Sequence, residues 1–273
     1  MARRAQKKEV GDSTLRAVWR ESTFPKIVAV IPARYGASRL SGKPLVKING
    51  KPLVQHSYEQ AKAFRLFSDV IVATDDRRVA AAVRKFGGKV QMTDPDHPSG
   101  TERVAEVARQ IACDIVVNLQ GDELGLAPAY LEQLIRPFID RPVVQMTTLA
   151  RPISSAREVR NPNQVKVVTD RHGDALYFSR SPVPFSTKGE SDHIAPLGHI
   201  GVYAYRRDFL LHLCTLPPTP LEKTERLEQL RVLEHGEKIH VAIVDTDTIR
   251  IDTPADLKRA RQILERQGKK GNG

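Results

Sequence analysis

Between Ile27 and Phe138 short apolar runs alternate with amphipathic stretches, and this rhythm narrows the folds open to the chain more than any other feature. The runs predict strands over Ile27–Pro32, Asp69–Thr74, Lys89–Met92 and Asp114–Leu119. Helical periodicity fills the gaps at Pro52–Phe67, Arg77–Phe86, Thr101–Ile111 and Pro128–Ile139. Strand–helix alternation builds an α/β fold with a doubly wound, mostly parallel sheet, whose ligands bind beyond the carboxyl ends of the strands.

From Val143 the rhythm changes. Short β-like runs at Val143–Leu149, Gln164–Thr169, Ala175–Phe178 and Gly201–Tyr205 come without long helices between them. A helix with charged faces is expected over Leu221–Glu234, a strand over Ile239–Val244, and a last helix opening at Thr253-Pro254, with threonine as cap and proline at its first position. The second half therefore reads as a mixed α+β elaboration on the first sheet. The expected organisation is an N-terminal extension (1–25), one domain over 26–263 with halves at 26–140 and 141–263, and a C-terminal tail (264–273).

The chemistry-bearing residues fall at the strand ends. Residues 31–45 read IPARYGASRLSGKPL, a turn with Arg34, Arg39, Lys43 and two glycines directly after a buried strand. Such a turn suits several phosphates, because the cations supply charge and the glycines let backbone N–H groups come close to an anion. It is not a Walker A loop. Five residues separate Gly36 from Gly42 where that motif has four, and Pro44 stands where a metal-binding Ser or Thr belongs.

Asp122 follows the most apolar inner strand, and Asp252 stands at another junction before the last helix. Brought to one crevice, two such carboxylates suit Mg²⁺, which takes one or two carboxylates together with phosphate oxygens and water. Opposite a basic loop they would suit phosphoryl or nucleotidyl transfer. Taken singly, either aspartate also reads as a loop-start or helix-cap residue. Asp75 and Asp76 are explained by a solvated turn.

Composition closes off several other classes. The net charge of +11 gathers at the ends: residues 1–25 carry +3 and residues 258–273 carry +5, on a nearly neutral body. Without aromatic interleaving or a recognition motif, that pattern reads as basic tails rather than a nucleic-acid face. No apolar run approaches the roughly 18–20 residues of a membrane span, and the N-terminus has no apolar core of a secretory signal. Cys113 and Cys214 lack the spacing of a metal site and read as reduced, buried thiols of a cytoplasmic protein.

The motifs together resemble the 3-deoxy-manno-octulosonate cytidylyltransferase (CMP-Kdo synthetase) family from about Lys26 to Ile263. They comprise IPARYGASRLSGKPL, VATDD (72–76), MTDPDHPSGTERVAEV (92–107), VVNLQGDE (116–123), NPNQVKVV (161–168), ALYFSRSPVP (175–184), HIGVYAYR (199–206), LEKTERLEQLR (221–231) and IDTPADL (251–257). The resemblance implies a nucleotide-diphospho-sugar transferase-like fold, a homodimer and Mg²⁺-dependent conversion of CTP and Kdo to CMP-Kdo and pyrophosphate, for lipopolysaccharide-type polysaccharide synthesis.

By the same resemblance, Arg34 and Lys43 would grip the triphosphate and stabilise its charge, assisted by Ser38 and Arg39. Arg103 would lie near the cytidine. Asp122 and Asp252 would hold the metal, and Gln120, Arg180, His199, Tyr203, Glu228 and Gln229 would line the sugar-acid pocket. The chain departs from the family pattern at Ser41, at Leu124-Gly125-Leu126 and at Ile249-Arg250-Ile251. The last two keep open a related substrate, an amino-substituted Kdo or a nonulosonate. A catalytically silent nucleotide-binding homologue is the alternative from another class.

Overall fold

A computed structural model describes residues 24–36, 42–186, 195–246, 248–251, 256–258 and 260–261. Ser38, Arg39, Ser41, Asp252 and the opening of the last helix lie outside the described residues, as do both basic tails apart from Phe24 and Pro25.

The first half runs β1 (Ile27–Pro32), a 3₁₀ turn (Lys43–Leu45), β2 (Lys47–Ile48), β3 (Lys51–Pro52), α1 (Leu53–Lys62), β4 (Phe67–Thr74), α2 (Arg77–Lys85), β5 (Lys89–Met92), α3 (Gly100–Gln110), β6 (Ile115–Asn118), β7 (Glu123–Leu124) and α4 (Pro128–Asp140). The second half continues with β8 (Met146–Pro152), α5 (Ala156–Val159), β9 (Lys166–Thr169), β10 (Ala175–Ser179), β11 (Leu197–Arg206), α6 (Arg207–Leu213), α7 (Pro220–Glu225), α8 (Gln229–Glu234), β12 (His240–Ile243) and β13 (Ile249–Arg250).

One sheet of nine strands joins the two halves, in the order β10-β9-β11-β6-β1-β4-β5, with β8 on β11 and β12 on β8. β6, β1, β4 and β5 pair in parallel, as expected of βα alternation. The long β11 then pairs antiparallel with β6, β8 and β9, which joins the elaboration to the parallel part. The reason lies in the strand residues. Ile27, Ala29 and Ile31 pack into one core layer while Val28 and Val30 pack into the other. A strand covered on both faces needs an unbroken apolar run, and β1 supplies it.

Two expected helices differ. The helix over Pro52–Phe67 ends at Lys62, because Phe64 and Leu66 turn into the core and Phe67 already belongs to β4. The helix over Leu221–Glu234 is two helices, broken at Arg226, whose φ of 53° lies in the left-handed region. The break turns residues 226–229 toward the carboxyl end of the parallel strands.

Candidate functional site

The phosphate loop is closed at its base. Gly42 has φ 66° and donates its N–H to the Tyr35 carbonyl at 3.0 Å. Its backbone angle and the Tyr35 ring, 3.2 Å from where a Cβ would stand, both call for glycine. Arg78 stacks its guanidinium 3.4 Å from the Tyr35 ring centroid and pairs with Asp76, which caps α2. Asp76 is thereby held at about 2, well below its ordinary 3.8, by the Arg78 guanidinium and by N–H groups at the start of α2.

Lys43 and Asp122 meet here. The Lys43 ammonium donates to the Asp122 carboxylate at 2.5 Å, with both side chains largely shielded from water. Asp122 sits between β6 and β7, and its carbonyl accepts from the Ile251 N–H at 3.0 Å. That bond continues the β7–β13 pairing, in which Leu124 faces Ile249 and Glu123 faces Arg250. The two segments that depart from the family pattern are thus neighbours. The Asp122 carboxylate supplies the hard oxygen donors that Mg²⁺ prefers, and its acidic partner in sequence, Asp252, lies outside the described residues.

Arg34 follows β1 and donates to the Ser99 carbonyl at 3.3 Å, while its Nε is buried without a hydrogen-bond partner among the described residues. Arg103 is fully buried on α3, where it donates to Thr93 Oγ1 and lies 3.3 Å from Asp75. Burial pushes its guanidinium below the ordinary value, and Asp75 opposes that shift. Its Nε and Nη2 are buried without hydrogen-bond partners among the described residues. Asp75 is therefore the counter-ion of a buried arginine, which corrects its reading as a residue of a solvated turn.

Beside Asp122 opens a cleft of about 370 Å³. Gln120, Arg180, His199, Tyr203, Glu228 and Gln229 all line it, together with Gly100, Thr101, Glu123, Arg151 and Arg226. Gly100 and Thr101 begin α3, whose Ser99 cap accepts the Glu102 N–H at 3.2 Å, so a helix N-terminus adds positive potential to the wall.

The wall is organised by residues that spacing alone does not reveal. Thr101 donates to Glu228 at 2.7 Å. Thr148 donates to the Val202 carbonyl at 2.7 Å, leaving its oxygen to accept from His199 Nε2 at 2.9 Å. That link spans an irregularity in β11 between Ile200 and Tyr203. Lys166 is fully buried and donates to the carbonyls of Asn161, Gln164 and Arg180. Arg180 in turn spends donors on the carbonyls of Glu225 (2.7 Å), Pro162 (3.0 Å) and Arg226 (3.3 Å), so it braces the broken helix pair as well as lining the cleft. The sequence signals were a lysine inside a β run and a polar Asn118 at the end of an apolar one. The two cysteines are free but partly exposed rather than fully buried, and partial burial pushes the Cys214 thiol up to about 11.

Residues 28–239 match the model of a family described as cytidylyltransferase. The 3-deoxy-manno-octulosonate cytidylyltransferase of Geobacter metallireducens is 51% identical over 250 residues, covering 88% of this chain and 98% of that one. The chain belongs to that family. It is a nucleotidyltransferase. The enzyme of the same name from Solibacter usitatus is 46% identical, over 91% of this chain and 98% of its own length.

Among solved structures, a CMP:2-keto-3-deoxy-manno-octonic acid synthetase complexed with CTP superposes with a TM-score of 0.84 at 46% identity, over 89% of this cytidylyltransferase and 99% of that chain. A 4-diphosphocytidyl-2C-methyl-D-erythritol synthase from Anaerococcus prevotii shares the fold, with a TM-score of 0.60 at 13% identity over 88% of this chain and 98% of its own. The α/β fold expected from the strand–helix rhythm is thus that of the nucleotide-diphospho-sugar transferases.

Proposed function

We propose that this cytidylyltransferase joins CTP and 3-deoxy-manno-octulosonate to give CMP-Kdo and pyrophosphate. The observation that carries the reading is one of adjacency. Asp122 touches the phosphate-loop lysine, and Gln120, two residues before it, lines a polar cleft with Arg151, Arg180 and Arg226. A nucleotide gripped by the loop would present its α-phosphorus at the mouth of a cleft suited to a hydroxylated acid.

The anomeric hydroxyl forms a bond to the α-phosphorus as the bond to the pyrophosphate oxygen breaks, and the hydroxyl proton passes to water. Arg34 and Lys43 counter the negative charge on the α-phosphate and the leaving pyrophosphate. Most of the rate then comes from positioning and charge neutralisation. Asp122 and Asp252 are the residues that would hold Mg²⁺, which when bound neutralises phosphate charge. Arg103, with two buried nitrogens unpartnered among the described residues, is assigned to the cytidine side. The 26–140 half is read as the CTP half and the 141–263 half as the sugar-acid and dimerisation half. A cytoplasmic homodimer serving lipopolysaccharide-type polysaccharide synthesis completes the reading, and the two free thiols fit a reducing compartment.

The test is pyrophosphate release with CTP and Mg²⁺ across Kdo, 8-amino-Kdo and nonulosonates, compared by kcat/KM. Kdo is expected to give the highest value. A higher value for another sugar acid would move the assignment to it, a result the paired departures at 124–126 and 249–251 make worth testing. CTP binding without turnover on any sugar acid would mark a silent homologue.

A further inference from the structure

Asn118 is the last residue of β6 and the only polar residue of that strand. It is fully buried, and it stands opposite Tyr203 of β11, so the two side chains share the sheet face that carries the cleft. Its Oδ1 accepts from Gln120 Nε2 at 3.1 Å, and its Nδ2 is buried with no hydrogen-bond partner among the described residues. A buried amide nitrogen left unbonded costs stability, and an apolar residue of similar size would avoid that cost. Asparagine there is therefore poor packing chemistry, unless its oxygen is needed.

The need lies two residues on. Gln120 lines the cleft, and its side-chain amide offers one donor group and one acceptor. An unconstrained glutamine could turn either group toward a ligand. With one of the two Nε2 protons given to Asn118, the amide cannot flip without losing that bond, and Oε1 is held as the acceptor offered to the cleft. A site that accepts from a substrate hydroxyl discriminates strongly against an analogue lacking it, because a mismatch leaves a buried group unpaired.

We infer that Asn118 is a positioning residue for sugar-acid selectivity: it locks the Gln120 amide so that its carbonyl oxygen, not its NH₂, meets a hydroxyl of the sugar acid. The inference rests on the reading of this cleft as the sugar-acid site. It uses no contact between Asn118 and substrate, and it concerns binding of the sugar rather than of CTP.

Four variants test it. Asn118→Asp keeps an acceptor for Gln120 Nε2, whereas Asn118→Leu keeps size and removes the acceptor; Gln120→Leu and the Asn118→Leu/Gln120→Leu double variant complete the cycle. Asn118→Leu is expected to raise KM for Kdo about tenfold while KM for CTP stays within twofold. Asn118→Asp should restore KM for Kdo to within about threefold of the parent, and the double variant should be no worse than Gln120→Leu alone. Equal effects of Leu and Asp at 118, an equal rise in KM for CTP, or additive effects in the double variant would overturn the inference. Asn118→Ala, a smaller change that also removes the acceptor, replaces Asn118→Leu if that variant fails to fold, and an unchanged KM for Kdo in it would count against the proposal.

A substrate-free readout separates this from the functional reading. In ¹⁵N spectra of the full chain, one proton of the Gln120 side-chain amide, assigned by its loss in Gln120→Leu, should exchange with solvent more slowly than in a free glutamine side chain. Asn118→Leu should abolish that protection. Its persistence would refute the lock even if Kdo proves to be the substrate. Its loss, with a parent enzyme inactive on Kdo, would leave the lock standing and refute the substrate.

Discussion

Lys43 and Asp122, 79 residues apart in the chain, share a 2.5 Å charge-assisted hydrogen bond at the carboxyl end of the parallel strands. The pair joins the phosphate loop to the carboxylate assigned to the metal, so neither group is without a counter-charge before substrate arrives. Removing either should be costly to turnover. Lys43→Met and Asp122→Asn are each expected to lower kcat/KM for CTP by about a hundredfold or more, the scale of lost electrostatic stabilisation in a shielded site. Pyrophosphate release measures it, and a variant within threefold of the parent would remove that residue from the catalytic set.

Arg78 is a surface residue with a consequence for the loop. Its stacking on Tyr35 backs the turn that Tyr35 and Gly42 close. An exposed cation–π contact contributes about 0.5–1 kcal/mol. Arg78→Ala should therefore raise KM for CTP by about threefold with kcat and KM for Kdo little changed. A fall in kcat without a change in KM for CTP would assign Arg78 a different role.

The Asp76 carboxyl sets an acid dependence. Its value in the folded chain, about 2, lies below the ordinary 3.8, chiefly through the Arg78 side chain. The unfolded chain therefore takes up the proton first as pH falls. The stabilisation is complete above about pH 4 and is lost between there and about pH 2. Asp76→Asn keeps a helix-capping side chain but has no titrating group. Urea unfolding at stepped pH should show a shallower loss of stability for the variant than for the parent across that window, and parallel curves would contradict the assignment.

Glu222 and Arg231 form a two-pronged pair, at 2.6 and 2.8 Å, between α7 and α8, with both side chains about nine-tenths shielded. They hold the two helices across the break at Arg226. Removing one partner of such a pair strands a buried charge, at a cost of about 3 kcal/mol. Arg231→Met should lose about that much in urea unfolding and raise KM for Kdo through displacement of Glu228 and Gln229. Glu222→Leu/Arg231→Met should recover much of the stability. A double variant as unstable as the single one would show that the loss is not a stranded charge.

The sequence by itself determined the parallel part of the fold, because a strand buried on both faces and a helix buried on one leave periodic apolar patterns that short windows contain. Ile27–Pro32, Lys89–Met92 and α4 from Pro128 are read from such windows. The glycines and cations of the phosphate loop were equally legible, and so were the six side chains that line the cleft, through their motifs. Tertiary structure decided what each charged group is paired with. The counter-ion role of Asp75 toward Arg103, the carbonyl bonds that occupy Arg180 and the meeting of Lys43 with Asp122 are contacts between distant segments. The break at Arg226 and the early end of α1 were hidden for the same reason. Local helix propensity continues through both, and the core and the Arg180 and Arg231 bonds outweigh it. The loop was written in fifteen consecutive residues; the pairing that completes its site was available only once β1, β6 and β13 had come together.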